Sequence, residues 1–248
     1  MQHPLRWFLL AFSLHPFLTA QQFSVLVYTE TKGWHHDSIP AAIEAVEALG
    51  ALHHFTVTTS GKADPYFTDE GLAPFDVVIF LLTSGDVLDA EQQGAMERFV
   101  QAGKGFVGVH SAADTEYEWP WYRAMVGRMF HQHPAIQTAS VQVEDRNFPG
   151  MDAFPERFLF TEEWYEFQAP DNDTLKTLLT VDESTYEPVT GMGDFHPVSW
   201  FHEYDGGRAF YTALGHLPAT HADPRFRHHL FGGIYWAATG QRFHSKQP

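Results

Sequence analysis

Apolar and polar positions along the chain follow two regimes, and the first runs from residue 23 to about residue 110. Phe23 to Thr29 (FSVLVYT) is a short β-branched run that predicts a buried strand. Pro40 to Leu49 predicts a helix, with Pro near its start, Ala41, Ala45 and Ala48 inside, and Gly50 as the residue that closes it. Phe55 to Thr59 predicts a second strand. Phe75 to Thr83 (FDVVIFLLT) is apolar on both faces, the pattern of a central strand. Asp89 to Gln92 has the form of a capping box; Met96, Phe99 and Val100 continue it as one apolar helical face, and Gly103 ends it. Gly105 to Val109 is another short buried run. Strand and helix alternating in this way predict an α/β fold, a doubly wound and mainly parallel sheet flanked by helices.

The second half is less regular and adds antiparallel strands. Thr138 to Val143, Leu175 to Val181, Val198 to Tyr204 and Arg208 to Leu214 read as strands, the last two joined through Asp205-Gly206-Gly207 as a hairpin. Pro224 to Thr239 reads as a closing helix that buries Phe226, Leu230, Ile234 and Ala237. With no repeat and no linker, residues 21–248 are expected to form one domain. The first twenty residues are of another kind. His3 and Arg6 precede an apolar run, Trp7 to Leu14, and Thr19-Ala20 follows, the pattern of a secretory signal cleaved after Ala20. The alternative is retention as an N-terminal anchor, but the run is short for a spanning helix and His15 and Pro16 interrupt it. The expected location is secreted or periplasmic, with no membrane-spanning segment after the signal is removed.

Composition narrows the chemistry. The chain has no cysteine, which excludes disulfides, thiolate metal sites and a cysteine nucleophile. The net charge is −16, or −17 without Arg6, the one charge in the leader, and such a field repels nucleic acid. Neutral or cationic ligands remain.

Fourteen of the sixteen histidines lie beyond the leader, grouped in segments that follow predicted strands. His36 comes after the first strand, His110 ends the fourth, and His216 follows a late one, so all three are expected at the carboxyl ends of the sheet, where open α/β folds bind ligands. Gly108-Val109-His110-Ser111-Ala112 has the shape of a strained, exposed strand-to-helix elbow with His at its centre. A register centred on Ser111 would put Val109 at a flank that needs a small residue, which disfavours a serine-hydrolase triad. Histidine at that point can act as base, hydrogen-bond donor or metal ligand. Glu162 and Glu163 cannot share a strand face, so one is expected to enter the site, and Glu163 is the choice over a solvated acidic turn. The candidate catalytic residues are therefore His110, Glu163 and His36. His110, Glu163 and His216 together form a set able to hold a divalent metal such as Zn²⁺, although no compact motif such as H-E-x-x-H is present. Asp37, Ser111, Asp114, Trp119, Tyr165, His196 and His202 are the candidates for substrate binding. Trp34, Tyr117, Trp121, Trp164 and Trp200 flank them with ring faces suited to sugars.

Five stretches resemble the trehalose-utilisation (ThuA-like) family: Gly33 to Ile39, Gly108 to Asp114, Thr161 to Phe167, His196 to Trp200, and Gly207 to His216. Together they extend over most of residues 23–240. The resemblance implies a class I glutamine-amidotransferase-like fold without the nucleophilic cysteine, and hence no amidotransferase activity. It also implies a small carbohydrate ligand, a disaccharide or a 3-keto-glycoside. The expected function is an exported protein of carbohydrate metabolism working by acid/base chemistry, with or without a metal, as a lyase, isomerase or hydrolase. The alternatives are a non-catalytic carbohydrate-binding module and a plain metal-dependent hydrolase. Mass spectrometry of protein from its native host is expected to find a chain starting at Gln21; an intact Met1 in the cytoplasmic fraction would contradict the signal reading.

Overall fold

The computed structural model of the protein describes residues 21–242, and the signal expected over 1–20 lies outside the described residues. The alternating first half forms β1 (Ser24–Tyr28), α1 (Ile39–His53), β2 (Thr56–Ser60), α2 (Asp69–Leu72), β3 (Val77–Leu81), α3 (Ala90–Gln101) and β4 (Gly105–Val109). The remainder forms α4 (Pro120–Val126), β5 (Phe130–Gln132), β6 (Gln137–Val143), β7 (Arg157–Glu162), β8 (Glu166–Phe167), β9 (Lys176–Asp182), β10 (Pro197–Tyr204), β11 (Gly207–Thr212), α5 (Pro218–Ala222) and α6 (Pro224–Thr239).

Nine strands make one sheet in the order β2-β1-β3-β4-β11-β10-β9-β6-β7. The run from β2 to β11 is parallel, and every pairing from β11 to β7 is antiparallel. The chain steps outward from β1 to β2, then back past β1 to β3 and β4. Right-handed crossovers in opposite directions place α1 and α3 on opposite faces, which is why β3 and β4 are buried on both sides. Pairing across the sheet joins β5 and β8 in a separate two-stranded ribbon.

The antiparallel half curls. β7 stands four places from β11 in the sheet, yet its last residue, Glu162, hydrogen bonds to Gly215 just beyond β11. Register shifts between β9 and β10 around Ser199 supply a bend. β7 also runs parallel to β11, four antiparallel steps away, so its carboxyl end arrives at the same edge as those of β1, β4 and β11.

Two expectations are corrected. Gly50 does not close α1 but lies inside it, and His54 makes the left-handed cap at φ 56°. Gly50 is there for space: a Cβ would stand 2.7 Å from Val57 Cγ2. β7 was not anticipated; its inward positions are Phe158, Phe160 and Glu162, and the carboxylate ends an otherwise regular alternation. The hairpin reading holds, with Asp205 at φ 45° and Gly206 at φ 91° as a primed turn requires.

α6 brings His229 into the core, ringed by Phe154 and Phe210. Its Nε2 donates to Ser199 Oγ at 3.1 Å, because that hydroxyl already donates to the Tyr211 carbonyl, and its Nδ1 has no partner. Burial pushes its pKa down to about 3, and burial takes that of His221 to about 4. Both are neutral in the fold but protonate near 6.5 when unfolded. The unfolded chain therefore binds more protons below that pH, and stability present above it is lost as pH falls. At pH 5 each such histidine is expected to cost about 2 kcal/mol of stability relative to neutral pH. His229→Phe should remove one share of that loss, read as the difference in urea unfolding free energy between pH 7 and pH 5; an unchanged difference would mean that His229 is not held neutral.

Candidate functional site

Four segments deliver the site, and the turn after β11 ties them together. The β1–α1 loop carries His36 and Ser38, β4 ends at His110, β7 ends at Glu162 and continues into Glu163, and β11 runs into Ala213, Gly215 and His216. The Ala213 carbonyl accepts from His110 Nδ1 at 2.7 Å. The Gly215 amide donates to Glu162 Oε1 at 3.0 Å, and the Gly215 carbonyl accepts from Ser38 Oγ at 3.3 Å and His221 Nε2 at 2.8 Å. Gly215 sits at φ 126°, a conformation that side chains disfavour, and this lets both faces of its peptide be gripped. Glu162 itself is fully buried, and it also accepts from Thr220 and from the amide of Glu163. Neither neighbouring glutamate is solvated; they divide the work, one holding backbone and the other facing the site.

His110 has the strain expected of an elbow, with φ at 52°. It is not exposed, as the elbow comparison predicted, but 0% accessible, because Tyr165 and the 213–216 turn close over it. Its carbonyl accepts from Tyr211 Oη, and that of Ala112 accepts from Tyr122 Oη, which fixes the turn that follows.

One ligand atom from each of His36, His110, Glu163 and His216 lies within 4.8 Å of all the others. Since the Ala213 carbonyl only accepts, His110 Nδ1 carries a proton and its Nε2 presents a lone pair, to which Tyr165 Oη donates at 2.9 Å. The same Nε2 is 3.4 Å from Glu163 Oε2. His216 Nδ1 is 3.2 Å from that oxygen, and His133 Nδ1 is 3.2 Å from Glu163 Oε1. Burial pushes Glu163 upward, but when His110 and His216 are protonated their hydrogen bonds and charge outweigh it and hold the carboxyl well below its usual range. The bond to Glu163 raises His216, against the opposing effect of burial. His36, with Nδ1 3.4 Å from Ser111 Oγ, is pushed down to about 3 by burial and by His110 and His216. Burial raises Tyr165 far enough to keep it a donor, and burial raises Asp114, a hydrogen bond from Tyr117 partly opposing it. A buried carboxylate surrounded by imidazole nitrogens could hold a metal.

A cavity of about 320 Å³ opens onto this cluster, lined by Trp34, His36, Asp114, Phe130, His133, Glu163, Tyr165 and His216, with His110 buried beneath it. Asp114 and Tyr165 thus join the four clustered groups, and Ser111 lies behind His36. The other expected binding residues lie elsewhere. Asp37 is exposed and lines no part of the cavity. Trp119 stacks on Trp121 and Tyr122 and donates to Glu97. His202 is buried behind α4, where it binds the Met125 carbonyl and Asn172. His196 backs Tyr165 by bonding its carbonyl at 2.8 Å, with Glu183 on its other nitrogen. His133 and Phe130 were missed as site residues, although Phe130-His131-Gln132-His133 was visible as a histidine segment. β5 is only three residues long, too short for its period to show which histidine turns inward. A larger hollow of about 530 Å³ lies over β6 and β9, but three of its four carboxylates are engaged in structure, Asp182 with Arg157, Glu183 with the Gly193 amide and Glu144 with Thr180, and the fourth, Asp194, is exposed.

Comparison with solved structures returns the same fold. A protein described as ThuA-like from Bacteroides uniformis aligns with a TM-score of 0.75 and 20% identity, covering 92% of this chain and 98% of its own. A second, from Parabacteroides merdae, gives 0.72 and 20% over 91% and 93%. A β-galactosidase from Rahnella sp. R3 gives 0.55 and 17%, covering 88% of this chain but 32% of its own, so there the fold is a part of a larger protein. A search of curated proteins finds no match to the sequence. The family model for trehalose utilisation, ThuA, matches residues 24–237, from the first strand to the last helix, and the chain belongs to that family of carbohydrate utilisation.

Proposed function

We propose that this protein is a metal-assisted acid/base enzyme acting on a 3-keto-glycoside in disaccharide utilisation. The observation that carries the reading is the convergence of His36, His110, Glu163 and His216 into one cluster, three of them lining the pocket and His110 buried beneath them. The donor set fits Zn²⁺ or another divalent ion that favours imidazole: three neutral-capable rings, one ionised carboxylate, and His110 oriented by a carbonyl on its far nitrogen. A bound metal would supply Lewis acidity toward a carbonyl oxygen. The chain's own residues do the rest. A 3-keto group acidifies the neighbouring C–H, so a single positioned base is enough to begin elimination or isomerisation. His133 and Asp114 line the pocket outside the four-group set, and the atoms they keep unengaged, His133 Nε2 and Asp114 Oδ2, are placed to accept or return a proton there. Tyr165 Oη, held protonated by burial, is the hydrogen-bond donor at the same wall. Phe130 and the Tyr165 ring give the pocket its apolar side and limit the water beside the reacting carbon.

Purified protein is expected to contain about one equivalent of a divalent metal by elemental analysis, and to turn over 3-keto-trehalose but not trehalose. Glu163→Gln should weaken metal binding by about 100-fold or more, since a removed ligand costs at least as much as its supporting partner. His110→Asn, which tolerates the left-handed backbone, should do the same. Metal-free protein that binds sugar without turnover would leave a binding module in place of the enzyme. Equal turnover of trehalose would point instead to a plain hydrolase.

His133→Gln separates the base from the metal set. It should lower kcat by about 10²–10⁴-fold while metal content stays unchanged. Wild-type turnover in that variant would move the base to Asp114, and loss of metal would place His133 among the ligands.

A further inference from the structure

Trp34 stands at the mouth of the histidine pocket with its side chain unburied. It is 69% exposed, while Trp119, Trp164, Trp200 and Trp236 are buried, and among the described residues its ring stacks on no other. Its backbone is the opposite. Ser84 Oγ donates to the Trp34 carbonyl at 2.7 Å, and the amides of Lys32 and Gly33 both donate to the Ser84 carbonyl, at 2.8 and 3.2 Å. A Cβ on Gly33 would stand 3.3 Å from Ser84 Oγ, so the loop is pressed against the end of β3. A large apolar ring on a pinned backbone, left in water, is unfavourable by itself and is prepared to be covered. Preorganisation of this kind lowers the ordering cost when a ligand arrives.

The pocket also limits what fits inside it. At about 320 Å³ it lies at the small end of the roughly 300–1,000 Å³ range of ligand pockets, room for one sugar ring among its polar groups. With one ring among the inner polar groups, a second ring joined to it reaches the side of the cavity that Trp34 lines. Half-buried Asp114 and His216 offer hydroxyl partners within, whereas the exposed lining residues are Trp34, with an apolar ring face, and His133. That division suits a disaccharide taken end-on: one ring recognised by hydrogen bonds within, the next held through its C–H face outside.

We infer that Trp34 is the platform for the outer ring of a disaccharide whose terminal ring fills the histidine pocket. The inference rests on the carbohydrate reading proposed above and adds to it a subsite and a preference for glycosides over free monosaccharides. The apolar area covered by one ring on another corresponds to about a tenfold gain in affinity.

Fluorescence titration with trehalose and with glucose, each plain and in its 3-keto form, tests it on the metal-loaded protein. The disaccharide of each pair should bind about tenfold more tightly, and should shield the accessible tryptophan from iodide where the monosaccharide does not. Trp34→Ala should bring the two sugars of each pair to equal affinity and leave monosaccharide binding as it was; Trp34→Tyr should keep most of the preference. Because the ring is exposed, Trp34→Ala should melt within a few degrees of wild type, and Trp34→Tyr serves as the control if it does not. A disaccharide preference that survives in Trp34→Ala, or an equal loss for both sugars, overturns the platform while sugar binding stands. If the wild type binds neither sugar in either form, the carbohydrate reading fails and the platform fails with it.

Discussion

Every group at the floor of the pocket depends on how the peptide at Gly215 is held. Its amide is taken by a buried carboxylate from β7, and its carbonyl by Ser38 from the β1–α1 loop and His221 from α5. Two residues earlier, the Ala213 carbonyl fixes the tautomer of His110. The grip of Glu162 on the backbone joins the curled antiparallel half to the strand ends of the parallel half, and the Tyr165 hydroxyl on His110 reinforces that junction. A buried carboxylate with backbone and hydroxyl donors on both oxygens is a stiff joint, since removing any donor leaves charge without solvation. Glu163 is placed by being next to that joint, and His216 by being on its other side.

Much of this was legible in the residues. The switch from apolar runs to helical period located β1, β3, β4 and α6, and the elbow at His110 could be seen from its small neighbours. Strand alternation admitted only one of Glu162 and Glu163 to the site without saying which. What the residues did not show was the curl. A sheet that returns its ninth strand to the first site has no local signature; it comes from a register shift around Ser199 and from long-range bonds. For that reason His196 and His202, which sit in strand-associated motifs as promising as those of His36 and His216, turned out to support Tyr165 and α4 instead. Exposure at the elbow was misjudged for the same reason: the lid over His110 comes from residue 165 and from residues 213–216, far along the chain.

The absence of cysteine takes on a structural meaning at His110. The elbow of an α/β sheet presents its central side chain to the pocket at the cost of backbone strain. With a nucleophile there, the strain exposes an attacking atom. With a histidine whose far nitrogen is tied to a carbonyl, it aims one lone pair and removes the freedom of the ring to choose another. The elbow geometry here carries a histidine, a residue type able to coordinate a metal or to move protons. Family membership is consistent with this, since carbohydrate utilisation makes no demand for an acyl intermediate.

The path of the chain through the site also bears on the order in which the protein is made. His36 emerges early in synthesis, His110 near the middle, Glu163 later and His216 close to the end, and their contacts span up to 177 residues of separation through Ser38 and Gly215. Loop closures of that length form late, after local structure has collapsed, and they slow a fold in proportion to how many are needed. A ribosome-bound fragment ending before residue 212 would contain the elbow, the first histidine and the carboxylate, yet would lack the turn that brings them into register. The pocket is therefore a marker of how far the chain has been made: no partial product that ends before this turn can present it.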